Sequence, residues 1–263
     1  MEVVYKFRDW GNKYHKKILT DNEIYLAPPN KINDPFDCRI NENFSLLSEK
    51  EFEQYIDDQI NLLNLKNLDS VRIKIKNRYT NQDKLKKEYN VHCKNIGVFS
   101  CCHDTKEDKG WQNILLWSHY SNEHKGFCVV FWKEKLFKYL TIHGEVKYGK
   151  YPKLKPLAPV EKNKKKIIKN FIALLSTKEK RWKYEHEYRY IKINTKNNSE
   201  TGFHKEERII KLSNDCFVGV FLGLNIPKNH EKEILVLCRQ KNIPVFKTKM
   251  NPFDFTLTNE QII

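Results

Sequence analysis

The chain predicts an α+β fold: a mixed, mainly antiparallel sheet with flanking helices and a helical insertion at about 48–94. Three observations carry that expectation. Short apolar runs of strand length recur along the chain, of which Gly126–Trp132 (GFCVVFW) is the clearest. Amphipathic stretches with helical spacing lie between them. The two kinds of segment alternate without regular βαβ repetition, which argues against a doubly wound parallel sheet. No internal repeat or low-complexity linker divides the sequence, so residues 1–263 read as one α+β domain.

Taken in order, Val3–Arg8 opens as a strand, and Trp10–Thr20 follows as a short helix with Trp10, Tyr14 and Ile18 on one face. Glu23–Ala27 is a second strand, stopped by Pro28 and Pro29. Asn33-Asp34-Pro35-Phe36-Asp37 is a turn, because the residue before a proline avoids the helical region. Ser48 and Glu51 form a capping box that starts the helical insertion. Within it Phe52, Tyr55, Ile56 and Leu63 keep helical spacing, as do Leu68, Val71 and Ile75. Ile96–Cys102 is a strand, Trp111–His119 a helix, Gly126–Trp132 a buried strand and Glu145–Tyr148 a short one. Pro152, Pro156 and Pro159 mark a loop into a basic helix whose Ile167, Ile168, Phe171, Ile172 and Leu175 make an apolar stripe. Glu187–Ile193 and Phe217–Leu222 are strands, Lys228–Arg239 is a helix and Val245–Lys249 is the last strand.

Composition bounds the function. Aromatic residues at 13% and hydrophobic residues at 40% supply a sizeable core and exclude a disordered tail. No apolar run approaches the ~18 residues that cross a bilayer, and MEVVYKFRDW lacks the features of a signal peptide. A cytoplasmic protein without a membrane partner is expected. Seven cysteines, an odd number without a compact framework, point to free thiols in a reducing compartment. His92-Cys93 and Cys101-Cys102-His103 lack the paired spacing of zinc ligands, and neighbours on a strand point to opposite faces, so no metal is expected. The balance of 48 Lys+Arg against 33 Asp+Glu gives +15. Between Glu161 and Lys183 nine basic residues face two acidic ones, a local excess of +7. That stretch suits a phosphate-bearing partner or, equally, a solvated helix face.

Four constellations carry possible chemistry. In Trp182-Lys183-Tyr184-Glu185-His186-Glu187-Tyr188-Arg189-Tyr190, a strand would place Glu185, Glu187 and Arg189 on one face. Two neighbouring carboxylates repel, which raises the pKa of the more buried one, and such a pair can grip ribose hydroxyls and stabilise a cationic sugar. The alternative is a cross-strand ion pair of Glu187 and Arg189 on an exposed face. In Tyr5-Lys6-Phe7-Arg8, Lys6 and Arg8 share the polar face of a strand, where an arginine clamps a phosphate or simply faces solvent. The turn with Asn33 and Asp34 either binds a ligand or holds the chain around a sheet edge. Trp117-Ser118-His119-Tyr120 brings an imidazole and a phenol together on a helix that could instead be core. Cys101 or Cys102 with His119 would make a nucleophile pair, but no local signature supports it.

The Y-K-F-R start, the N-D-P-F-D turn, the strand ending at Ser100, W-S-H-Y with G-F-C-V-V-F, and W-K-Y-E-H-E-Y-R resemble, in this order, a bacterial family catalogued as domain of unknown function 2971. The chain is also distantly similar to ADP-ribosyltransferases of the arginine-serine-glutamate type, through Arg8, Ser100 and Glu185-x-Glu187. It departs from their Ser-Thr-Ser pattern, since Cys101 and Cys102 follow Ser100. That similarity implies NAD as substrate. Arg8 would hold an NAD phosphate or ribose, Ser100 would shape the nicotinamide pocket, Glu187 would stabilise the oxocarbenium ion and Glu185 would orient the acceptor. The expected function is an NAD-consuming ADP-ribosyltransferase-like enzyme or glycohydrolase, of the kind that serves as a toxin or phage-defence effector. Tyr5, Lys6, Asn33, Asp34, Trp117, His119, Tyr120, Trp182 and Arg189 would help bind a small anionic ligand or nucleotide. The alternative is a non-enzymatic nucleic-acid-binding or regulatory interaction protein that uses Lys164, Lys165 and Lys166 of the basic helix.

Overall fold

The computed structural model describes residues 1–38, 44–62, 64, 68–140, 142–150, 156, 164–194 and 202–263. Side chains at 68, 71, 75, 78–80, 82, 84, 85, 88, 164, 167 and 168 fall outside that description. Leu63, Pro152, Pro159 and the side chains of Leu68, Val71, Ile75, Lys164, Ile167 and Ile168, all invoked above, therefore lie outside the described residues.

Strand β1 (Val3–Arg8) leads into α1 (Lys13–Thr20) and β2 (Glu23–Tyr25). The insertion comprises α2 (Glu49–Leu62), α3 (Leu68–Thr80) and α4 (Gln82–Lys94). β3 (Ile96–His103), α5 (Ile114–Tyr120), β4 (Phe127–Trp132), β5 (Ile142–Glu145) and β6 (Lys147–Gly149) follow. The basic helix α6 (Lys164–Leu175) precedes β7 (Thr177–Glu179) and β8 (Glu187–Ile193). The chain ends with β9 (Ile209–Lys211), β10 (Phe217–Leu222), α7 (Lys228–Lys241), β11 (Val245–Met250) and β12 (Leu257–Gln261).

Eight strands form one sheet in the order β12-β11-β10-β4-β1-β3-β8-β5, antiparallel throughout except for the parallel pair β10 and β11 that α7 connects. Two small sheets pair β2 with β9 and β6 with β7. The fold is α+β. The alternation of β1 explains its central position: Val4 enters one core with Phe99, Phe127 and Phe131, while Tyr5 and Phe7 enter the other with Trp117 and Phe221. Cys101 and Cys102 divide between the same two cores, and all seven cysteines are buried free thiols. Among the described residues no group of three or more His, Cys, Asp or Glu is placed to hold a metal ion, and no helix is long and apolar enough to cross a membrane.

Several boundaries differ from expectation for local reasons. α1 starts at Lys13, because the Asn12 side chain accepts from the Tyr14 amide and caps the helix there. β2 stops at Tyr25, and Ala27 instead bridges Val98 on β3. The expected helix at 111–119 divides into a 3-10 turn, Gly110–Gln112, and α5, which Asn113 caps by accepting from Leu116. The expected strand at 145–148 is two strands that meet at the buried Val146. The capping box at Ser48 is formed: its amide donates to Glu51 at 2.8 Å and its hydroxyl accepts from the Glu51 amide at 3.3 Å.

The feature that creates a site is a fork. β1 pairs with β4 from Val3↔Trp132 to Arg8↔Phe127. β3 pairs with β8 from Ile96↔Ile193 to Cys102↔Glu187. β1 and β3 themselves pair only at Val4↔His103 and Tyr5↔Cys102, then diverge. The sheet thus splits between β1 and β3. At the tip of the β1 prong, a Cβ on Gly126 would lie 2.1 Å from the Arg8 carbonyl oxygen, so only glycine lets the chain entering β4 pass there.

Candidate functional site

A cavity of about 240 Å³ occupies the fork. From β1 it takes Lys6 and Arg8, which alternate onto one face and are half-buried. The Lys6 ammonium donates to the Ser100 carbonyl, standing in for the strand partner that β3 loses where the fork opens, and lies 5.1 Å from the Phe99 ring centre. Among the described residues the Arg8 guanidinium has no hydrogen bond and no ion pair, although Arg8 lines the cavity. Burial, with Arg8 adjacent, lowers the Lys6 ammonium to about 7. Burial also lowers Arg8, to about 10, which leaves it charged at neutral pH.

The opposite wall is a compact set of paired charges. Arg189, fully buried on β8, donates from Nε and Nη2 to both Glu187 oxygens, at 2.6 and 2.9 Å. Its Nη1 and Nη2 reach both oxygens of Asp37, at 2.8 and 2.5 Å. Nη1 also donates at 2.6 Å to the carbonyl of Leu175, the last residue of α6, where the negative end of the helix favours a cation. The buried Lys178 of β7 donates to Glu185 at 2.5 Å and Glu187 at 3.3 Å, lies 3.7 Å from Asp37, and covers the Trp182 ring at 4.7 Å. On the outer side the Tyr120 hydroxyl donates to Glu185 at 2.6 Å and accepts from the Asn33 amide at 2.9 Å. Three carboxylates are thus held by two cations in one buried network.

These pairings correct three expectations. Glu185 does not share a strand face with Glu187: it ends a 3-10 turn, Lys180–Glu185, and His186 in the left-handed region (φ 42°) separates the two. The carboxylates still converge, because both reach Lys178. Their proximity does not raise the more buried one. Burial opposes ionisation of Glu187, but the Arg189 guanidinium, then Lys178 and the Ser100 hydroxyl, outweigh it and hold the pKa to about 2. Nor is Glu187–Arg189 an exposed pair, since both side chains are buried.

Of the residues singled out from sequence, Arg8, Ser100, Glu185, Glu187, Tyr5, Lys6, Asn33 and Tyr120 line the cavity. The others do not. Asp34 is buried, and its carboxylate accepts from the Phe36 amide at 2.9 Å to close the turn that aims Asp37 at Arg189. Trp117 is fully buried core, its indole donating to the Trp111 carbonyl at 2.7 Å, and His119 is exposed on the outer face of α5. Trp182 and Arg189 support the wall from behind. Burial lifts the thiols of Cys101 to about 12 and of Cys102 higher still, which removes them as nucleophiles at neutral pH. Lys165 and Lys166 are exposed on α6 and outside the cavity. Lys178 and Asp37 escaped notice: one lies in a basic run with no local mark to distinguish it, the other inside a turn whose signal is conformational.

Residues 116–190, from α5 through β8, match a family described as Protein of unknown function (DUF2971). That span carries W-S-H-Y, G-F-C-V-V-F and W-K-Y-E-H-E-Y-R and agrees with the family resemblance seen in those motifs. No curated protein and no solved structure matches the chain.

Proposed function

We propose that the fork cavity binds the reacting end of NAD and that the chain cleaves it, as an ADP-ribosyltransferase or NAD glycohydrolase. The observation that carries this reading is convergence. Arg8, Ser100, Glu185 and Glu187 come from three separate stretches of the chain and line one cavity, in which Arg8 has no anionic partner among the described residues. A guanidinium without a partner in a half-buried cleft favours a phosphate through paired, charge-assisted hydrogen bonds. The volume, about 240 Å³, suits a nicotinamide riboside with one phosphate, which leaves the adenosine outside.

In this reading the Glu187 carboxylate, ionised at neutral pH, faces positive charge as it develops on the ribose. The bond from the anomeric carbon to nicotinamide breaks, and the electron pair leaves with nicotinamide. Arg189, which donates to both Glu187 oxygens, fixes the carboxylate orientation, and Ser100 faces the same cavity from β3. Glu185, oriented by Tyr120 and Lys178, receives the proton of the incoming nucleophile, which is water or an acceptor hydroxyl or amine. A nucleic-acid acceptor would be drawn first to the exposed Lys165 and Lys166. A role as a cytoplasmic toxin or phage-defence effector belongs to the same reading.

The test is release of nicotinamide from NAD, measured chromatographically with and without added cell protein and nucleic acid. Turnover is expected, and Glu187→Gln should reduce it by about 100-fold or more, with circular dichroism checking that the variant is folded. No nicotinamide from the wild type in the presence of both kinds of target would overturn the reading.

A further inference from the structure

Lys6 takes no part in the chemical steps of the NAD reading, yet its position suits a chemistry of its own. Its amine lies in the cavity, donates to one backbone carbonyl and, among the described residues, pairs with no carboxylate, although Glu185, Glu187 and Lys178 line the same space. The carboxylates nearby are already neutralised by Lys178 and Arg189. The charge that acts most strongly on Lys6 is Arg8, two residues along the same face of β1. Two cations side by side in a half-buried cleft cannot both keep their charge at low cost. The guanidinium holds its proton at neutral pH, so the amine is the group that gives it up.

We propose that Lys6 is a nucleophilic amine that captures a carbonyl compound bearing a phosphate, the phosphate being held by Arg8. The amine lone pair attacks the carbonyl carbon to form a carbinolamine; loss of the hydroxyl as water, with the nitrogen proton, leaves an imine. No oxidant or reductant takes part. The neighbours that set the amine's charge act in two directions. Burial, then Arg8, lower its affinity for a proton, while Cys101, Glu187 and Glu185 raise it, and the balance stands at about 7. At that value a large share of Lys6 is neutral at physiological pH, whereas an ordinary lysine is neutral to about one part in a thousand. The Phe99 ring beneath the ammonium and the Tyr25 and Tyr120 side chains on the cavity wall give a flat carbonyl compound apolar surfaces to lie on.

The experiment uses pyridoxal 5′-phosphate as a probe, with pyridoxal, its analogue without phosphate, in parallel. The full chain is treated near neutral pH, the imine is trapped by borohydride reduction, and each modified lysine is quantified by peptide mass spectrometry. Lys6 should react about tenfold or more faster than any other lysine. Pyridoxal should label it about tenfold more slowly. Arg8→Gln should bring the two reagents level, and Lys6→Arg should abolish the adduct at this peptide. Inorganic pyrophosphate should protect Lys6 in the wild type, a readout that holds even if a variant folds poorly. Labelling that follows surface exposure, with Lys6 no faster than the rest, overturns the proposal. So does equal labelling of Lys6 by both reagents. Nicotinamide release plays no part in these measurements, so the two proposals stand or fall separately.

Discussion

The two walls of the fork carry similar charges with opposite fates. On the β8 side, Arg189 and Lys178 direct their donors to Asp37, Glu185, Glu187 and a helix-terminal carbonyl. On the β1 side, Lys6 has one backbone acceptor, and Arg8 has none among the described residues. On the first wall the charges are buried because they are paired, and each depends on the others. On the second the charges face the cavity without a carboxylate partner among the described residues, which is what both proposals build on. Charge type alone separates nothing here; pairing does.

The largest expected effect breaks the paired wall. Arg189→Met removes the guanidinium that bridges the buried Asp37 and Glu187 and should cost roughly 3–5 kcal/mol of stability, read as a lower urea midpoint. Acid attacks the same wall by a smaller amount. Glu187 is depressed from an ordinary 4.5 to about 2, so its contribution is present above the unfolded value and is lost as pH falls from about 5 towards 2. The wild type should lose on the order of 2–3 kcal/mol across that window beyond what Glu187→Gln loses, measured as urea midpoints against pH. The smallest effect on stability belongs to the other wall. Arg8→Gln should change stability by less than about 0.5 kcal/mol, yet weaken pyrophosphate binding about 10- to 100-fold by calorimetry. If Arg8→Gln instead destabilised the fold as much as Arg189→Met, the distinction between the walls would fail.

Much of this architecture is legible in order along the chain. V-V-Y-K-F-R, G-F-C-V-V-F-W and E-Y-R-Y-I-K-I read as strands because alternation or a continuous apolar run is a local property, and the Ser48 box reads as a helix start for the same reason. β7, β9 and β12 are not legible: T-K-E and I-I-K are too short for a period, and L-T-N-E-Q is too polar. Their partners, rather than their own preferences, make them strands. Within the site, Arg8, Ser100, Glu185 and Glu187 are visible as residue types in sequence order. Trp117 and His119 are visible in the same way, yet lie elsewhere, because an aromatic on a short helix has the same local signature in a core as in a pocket.

By itself, then, the sequence determined which side chains are available, the strands they ride on and the faces they can share, since all of these follow from spacing over a few residues. Tertiary structure alone decided the fork between β1 and β3, and with it which charges are neutralised and which remain open. The contacts responsible join residues far apart: Arg189 meets Asp37 across 152 positions, and Lys6 meets Ser100 across 94. No local pattern encodes such a pairing, because the free energy that selects it comes from burying both partners together.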